Sequence, residues 1–311
     1  MEQDKIDAVI PVYKPNKEFV RVIKGLQEQT IVPNKIILMN TEKELLLPFL
    51  EESHILEQYD NIEVHHLTRE EFDHGGTRHA GVQYSTASFF LCMTQDALPK
   101  NNRMIEELLK AHRQKKVAVA YARQLPRPDS TILESFTRDF NYPCQSRIKS
   151  LEDIQELGIK AFFCSNVCAL YNRQIYDESG GFIRHTIFNE DMIYAAGIMK
   201  QGFAVAYQAE AEVIHSHHYT GWQQFCRNFD LGVSQADHPE IFAEVPSEKE
   251  GKKLVKEMLR FLKKEGKLFW ILPFIYESSC KLAGYRLGRG YRSLPKSLVI
   301  KCSTNRNYWK V

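Results

Sequence analysis

Ser88-Phe89-Phe90-Leu91-Cys92-Met93-Thr94-Gln95-Asp96-Ala97-Leu98-Pro99 is the stretch whose reading decides the fold. Its apolar half, Ser88–Met93, is short and aromatic-rich, the pattern of a strand buried on both faces. The run stops at Thr94-Gln95-Asp96, so a carboxylate emerges where a buried strand ends. Such a carboxylate commonly holds Mg²⁺ or Mn²⁺ against phosphate oxygens, and equally often serves as a loop or cap residue.

Outward from this strand the pattern repeats. Ile6–Pro11, Lys35–Met39, Ile62–Leu67 and Val117–Tyr121 read as strands, and Lys17–Gln29, Gly76–Thr86 and Met104–Gln114 have helical apolar spacing. This alternation predicts an α/β fold, a mostly parallel Rossmann-like sheet flanked by helices on both faces. Ligands then sit beyond the carboxyl ends of the strands. The second half is less regular. Ala161–Leu170 reads as a strand, Arg173–Ser179 as a short helix ending at Gly180-Gly181, Asp191–Gln201 as a helix and Ala204–His217 as holding a strand. Arg123–Lys149 has few periodic signals and reads as including mobile loop.

Among 311 residues, 43% are hydrophobic and 26% charged, which excludes disorder, collagen and a small disulfide scaffold. The length suits a catalytic domain over 1–240 and an extension over 241–311. No apolar run approaches the ~20 residues of a membrane-spanning helix. The acidic opening MEQDKIDAVIPVY does not read as a secretory signal. Seven unpatterned cysteines fit a reducing cytoplasm. The net charge of +2 conceals a strong asymmetry: residues 252–311 hold fifteen Lys/Arg against three Glu, leaving 26 against 36 acids before them. A basic end on an acidic body suggests a polyanionic partner.

Four further groups follow strand ends. Pro11, Val12 and Tyr13 open a turn where a nucleotide base can lie, and Asn40 closes the second strand. Gly75 and Gly76 allow backbone to approach a ligand, and Arg78 in the next helical turn suits a diphosphate. Glu190 and Asp191 enter a helix, where the dipole stabilises them and one can act as a general base. His215 and His217 share one side of an extended segment and are candidate metal ligands with Asp96.

The order VIPVYKPN, FDHGGTRHAG, TQDALP, SGGF and NED resembles the inverting family 2 glycosyltransferases of the GT-A fold over about residues 5–235. Within that family it is similar to the bacterial rhamnosyltransferase branch. The resemblance implies transfer from a nucleotide sugar, dTDP-L-rhamnose, to a lipid-linked or polysaccharide acceptor of the cell envelope. It makes Asp191 the base and has Glu190 steer the acceptor. Pro11, Val12, Tyr13, Asn40, Gly75, Gly76, Arg78, Gln95 and Asp96 then bind the donor. Gln95 stands where the family usually has the first Asp of Asp-x-Asp, so Asp96 is that motif's one acidic contact for a divalent Mg²⁺ or Mn²⁺, joined by His215 and His217. A non-catalytic sugar-nucleotide-binding adaptor and a nucleotidyltransferase are the rival classes; the latter wants a basic Gly-rich loop, which Val12–Asn16 is not.

In the tail, Leu254, Val255, Met258, Leu259, Phe261 and Leu262 share one helical face and lysines the other. With Trp270, Phe274, Arg286, Arg289 and Arg292 this reads as in-plane docking on an anionic membrane, peripheral on the cytoplasmic face. The competing reading packs the apolar face on the body. Nucleic acid is disfavoured, since no helix-turn-helix, zinc-finger or RNP-like signature is present.

Overall fold

The computed structural model describes residues 4–114, 116–245 and 247–310. Met1–Gln3 of the acidic opening and Pro246 of the segment before the tail lie outside the described residues. The strands are β1 (Ile6–Val12), β2 (Lys35–Thr41), β3 (Ile62–Leu67), β4 (Phe89–Met93), β5 (Leu98–Pro99), β6 (Val117–Leu125), β7 (Arg147–Lys149), β8 (Cys168–Asn172) and β9 (Ala204–Ile214). They form one sheet in the order β3-β2-β1-β4-β8-β6-β9-β5, with β7 on β9. The helices framing the site are α1 (Lys17–Gln27), α2 (His74–Gln83), α3 (Met104–His112), α4 (Ile132–Asn141), α5 (Glu190–Lys200), α6 (Gly221–Asp237), α7 (Glu248–Lys264), α8 (Ile271–Arg289) and α9 (Lys296–Cys302).

Alternation along each central strand divides the core in two. Ile10, Leu38 and Leu91 face α1 and α3 through Phe19, Ile23 and Leu108. Val9, Ile37 and Phe90 face the opposite layer, where Val82 of α2 and Met192 of α5 pack. Helices therefore cover both faces, as the continuous apolar strands demand.

The expectation of a parallel sheet holds for β3-β2-β1-β4 and for β6 with β9, but β8 runs antiparallel to both β4 and β6. That reversal places the loop entering β8 beside the carboxyl ends of β1, β2, β4, β6 and β9. The strand predicted over 161–170 begins only at Cys168, because Phe162 and Cys164 are buried without being in the sheet. Within 123–149 regular elements take up much of the stretch: β6 continues to Leu125, and α4 and β7 follow, with short connections between them. The tail is not a detached extension. Met258, Leu262 and Phe274 pack with Leu133 of α4, and Phe261 lies 4.7 Å from Phe136. A Cβ on Gly284 or Gly288 would come within 2.1 or 2.0 Å of the Phe225 and Phe229 carbonyls, so α8 lies against α6 backbone to backbone. Arg286, Arg289 and Arg292 stay exposed while pairing with Glu248, the Gln235 carbonyl and Asp237.

Candidate active site

Asn189 adopts a left-handed conformation, φ 66°, that turns the chain sharply into α5. Asparagine tolerates it better than most residues. Its side chain donates to Ser234 Oγ at 3.1 Å, and that hydroxyl donates to the Phe188 carbonyl at 2.8 Å, so α6 clamps the turn. Two carboxylates follow, in unlike settings. Glu190 is 5% exposed, with Oε1 3.0 Å from Arg78 Nη1 and accepting from Asn166 Nδ2 at 3.0 Å. Asp191 is half-buried; it accepts from the Asn166 amide at 3.0 Å and from the Met192 amide at 2.8 Å. Tyr171 donates to Asn166 Oδ1 at 2.7 Å, which fixes which end of the amide faces Glu190.

The two acids titrate apart. Burial alone would raise Glu190, yet the Arg78 guanidinium, with help from His74 and Asn166, holds it below the ordinary carboxylate range. Asp191 is pushed up to about 7 by burial and by the charge on Glu190. A carboxylate in that range can accept a proton near neutrality, as a general base must.

The second cluster joins the end of β4 to the end of β9. Asp96 Oδ1 lies 3.5 Å from His215 Nε2, and Oδ2 lies 3.5 Å from His217 Nε2. One ligand atom from each residue falls within 4.8 Å of the others. Burial lowers the pKa of His215; burial and His215 lower that of His217 to about 4, so both rings are neutral at pH 7. His215 Nδ1 faces Gln124 Oε1 at 3.0 Å, while Gln124 Nε2 donates to Ser165 Oγ at 2.9 Å. Arg138 also donates to that Gln124 oxygen. Gln124 thus accepts on its oxygen, which puts the ring proton on Nδ1 and leaves the Nε2 lone pair toward Asp96. A bare imidazole nitrogen facing a carboxylate is unfavourable unless a cation lies between them. The donor set of one carboxylate and two neutral imidazoles therefore fits a divalent metal.

Ser165 and Asn166 are neighbours in the loop before β8, and they connect the two clusters: Ser165 through Gln124 to His215, Asn166 to Glu190 and Asp191. Sequence reasoning missed Asn166, Ser165 and Gln124. Neutral polar residues on a loop or a strand end leave no periodic signal.

Residues 7–180 match the family profile described as glycosyl transferase family 2. Over 308 residues, 98% of this chain and 96% of the relative, the protein is 36% identical to the O-antigen chain rhamnosyltransferase RfbN of Salmonella typhimurium. The chain belongs to glycosyl transferase family 2. It is 38% identical over 287 residues, 92% of this chain and 89% of the relative, to the O-antigen chain rhamnosyltransferase WbaN of Salmonella anatum. Among solved structures it resembles a mannosyltransferase of Pyrobaculum calidifontis in complex with GDP-Man and Mn²⁺, with TM-score 0.58, 13% identity, and 100% and 86% of the two chains covered. Staphylococcus aureus TarS, residues 1–349, aligns with TM-score 0.53 at 14% identity over 93% and 91%. The fold is GT-A, and the protein is a glycosyltransferase.

Several residues of this glycosyltransferase lie where the sequence reading did not put them. Arg78, expected on a diphosphate, is 6% exposed and turned to Glu190. Glu190, expected to steer an acceptor, faces Arg78 and Asn166 instead. Gly75 and Gly76 approach the chain's own backbone: a Cβ at Gly75 would sit 1.9 Å from the Ile183 carbonyl, and one at Gly76 2.8 Å from that of Arg184. Their amides are already capped by Asp73 Oδ1, at 3.0 and 2.7 Å, so they offer no free N–H groups to phosphate. Gln95 is spent on Tyr13, accepting from its amide at 2.8 Å and donating to its carbonyl at 2.9 Å. Where the family's first Asp would stand, this chain has a clamp on the Pro11–Tyr13 turn.

At that turn Val12 is buried and Pro11 half-buried, while the Tyr13 ring carries Arg69 5.2 Å from its centroid. Asn40 is fully buried; its Nδ2 lies 3.1 Å from both the Glu42 carbonyl and His66 Nδ1, and its Oδ1 has no partner among the described residues. Beside Asp96 opens a cleft of about 340 Å³ walled by Arg21 and Arg127, with Arg127 held by Glu18 at 2.5 and 2.6 Å.

Proposed function

We propose that this glycosyltransferase moves L-rhamnose from dTDP-L-rhamnose, with inversion, to a hydroxyl of a lipid-linked O-antigen-type glycan at the cytoplasmic face of the plasma membrane. The observation that carries the chemistry is the pairing of a base titrating near 7 with a separate carboxylate and bis-imidazole cluster, joined through Ser165 and Asn166. The sugar and the glycan rest on the two named rhamnosyltransferase relatives. Nothing in the residues selects a 6-deoxy sugar.

In this reading a pyrimidine base lies beside Tyr13 and Arg69, and Asn40, fully buried beneath them, stays out of contact with it. Asp96, His215 and His217 hold a divalent cation, which when bound neutralises charge gathering on the leaving diphosphate. Asp191 removes the acceptor proton as the hydroxyl attacks the anomeric carbon from the face opposite the leaving group. A single displacement inverts the centre without a covalent enzyme intermediate. Glu190 and Arg78 touch neither substrate; they set the proton affinity of Asp191.

Release of free nucleotide from dTDP-L-rhamnose, UDP-glucose and UDP-N-acetylglucosamine, with added Mn²⁺ or with EDTA, tests the proposal. We expect dTDP-L-rhamnose to be preferred and EDTA to suppress turnover. Preference for a UDP-hexose overturns the sugar, and full rate in EDTA overturns the metal.

A further inference from the structure

Six large apolar side chains stand in solvent along one edge of the molecule. Trp222 begins α6, and Leu268, Phe269, Leu272, Ile275 and Tyr276 lie in the turn before α8 and its first turns; all are between 49% and 77% exposed. Leu272, Ile275 and Tyr276 are spaced i, i+3, i+4, so they share one side of α8. The two groups meet: a Cβ on Gly221 would fall 2.5 Å from the Tyr276 hydroxyl, and Trp222 stacks on Phe225 at 5.0 Å. The strip is seated by inward neighbours, because Phe274 is buried and Trp270 packs with it against Leu133 and Met258. A contiguous row of this kind is not the isolated scatter of an ordinary surface.

Charge narrows what can cover it. Lys263, Lys264 and Lys267 are exposed directly ahead of Leu268, with Glu265 the one acid among them. After Glu277 no acidic residue follows. Arg286, Arg289 and Arg292 are exposed but each is held by an acceptor of its own, whereas Lys263, Lys264 and Lys267 have no such partner among the described residues, so they are the unpaired cations beside the strip. Two copies meeting at this strip would bring their lysine clusters together, whereas an anionic lipid surface complements them. No helix among the described residues is long and apolar enough to cross a membrane, so contact in the plane is the available mode.

We infer that the strip Trp222, Leu268, Phe269, Leu272, Ile275, Tyr276 enters the headgroup region of an anionic bilayer while Lys263, Lys264 and Lys267 meet the phosphates. Gly221 is four residues past His217, so the strip adjoins the segment that carries the bis-imidazole cluster. This deepens the lipid-linked acceptor of the proposed function and rests on it for its purpose, though not for its evidence. The docking residues differ from those the bare sequence suggests: Trp270 and Phe274 are packing residues, Arg289 and Arg292 hold α8 and the turn after it to the end of α6, and Arg286 pairs with Glu248 of α7.

The test is co-sedimentation of the full chain with phosphatidylcholine vesicles, with and without phosphatidylglycerol. The native protein should bind only the anionic vesicles. The double variant Phe269→Ser, Leu272→Ser removes exposed groups alone, so its melting temperature and its metal-dependent donor hydrolysis in vesicle-free buffer should match the native protein. Its vesicle affinity should fall at least about tenfold. Lys263→Gln with Lys264→Gln and Lys267→Gln should abolish the preference for phosphatidylglycerol. Unchanged vesicle binding by the serine variant overturns the inference. So does a native dimer, by sedimentation velocity, that the serine variant dissolves, because the strip is then a contact between copies. Loss of donor hydrolysis in the native protein would sink the proposed function and leave the vesicle result standing.

Discussion

Around Asp191 charge is balanced from within, whereas around Asp96 it is left for a ligand to complete. Glu190 has its countercharge in Arg78, and Asp191 is spared full ionisation by burial and by the charge on Glu190. Asp96 faces two imidazoles kept neutral by burial, with one of them fixed in the tautomer that turns its lone pair inward. The base has to keep its proton affinity whether or not a substrate is present. The leaving-group end has to accept a cation and a diphosphate in each cycle. A closed ion pair serves the first task and an incomplete one the second.

The comparison breaks most visibly if Asp191 is replaced. Asp191→Asn should lower kcat by about 10²–10⁴-fold, with donor affinity, read by calorimetry, retained. One amide nitrogen would face the Asn166 N–H, so a modest loss of stability should accompany it. Near-native turnover would move the base elsewhere.

Removing the countercharge comes next. Arg78→Leu strands a buried carboxylate and should cost about 3–5 kcal/mol in urea unfolding. Arg78→Leu combined with Glu190→Leu should recover much of that stability while altering the pH dependence. If Arg78→Leu weakens only donor binding, Arg78 belongs to the donor site after all.

The smallest of these effects sharpens the open end. Gln124→Leu takes away the acceptor that orients His215 and leaves all three metal ligands in place. Apparent Mn²⁺ affinity should fall about 10–100-fold, the scale of other outer-sphere losses. Stability without metal should also fall, by about 1–3 kcal/mol, because Arg138 and Ser165 lose the same partner, so the Mn²⁺ titration is read on the folded variant. An unaltered Mn²⁺ titration would mean that His215 needs no such orientation.

Much of the frame can be read from the bare chain because central strands buried on both faces become unbroken apolar runs. β1, β2 and β4 fall where those runs lie, and Glu190, Asp191, Asp96, His215 and His217 stand at the expected ends of their elements. The strand expected over Ala161–Leu170 is present as β8, but it starts only at Cys168 and runs antiparallel, because period cannot separate a strand from the buried irregular residues before it or give its direction. The helix α4 was legible in part, since Ile132, Leu133, Phe136 and Phe140 have helical spacing, but the partners that bury this face come from α7 and α8, more than a hundred residues later. Gly75-Gly76 was misread for a related reason: a glycine pair signals close approach without saying what approaches, and here it is the 183–184 backbone. Partners decide roles, and partners distant in sequence are invisible until the chain folds.

The central claim is that Glu190 tunes Asp191, and the pH dependence of kcat for sugar transfer, measured on the native enzyme and on Glu190→Gln, tests it directly. Asp191 works only as the anion, so activity in the native enzyme should climb as pH rises through about 7 and level off above it. Glu190→Gln removes the neighbouring negative charge and leaves Arg78 in place. Asp191 should then ionise more easily, and the rising limb should move to lower pH. A limb that stays where it was, or moves to higher pH, would contradict the account.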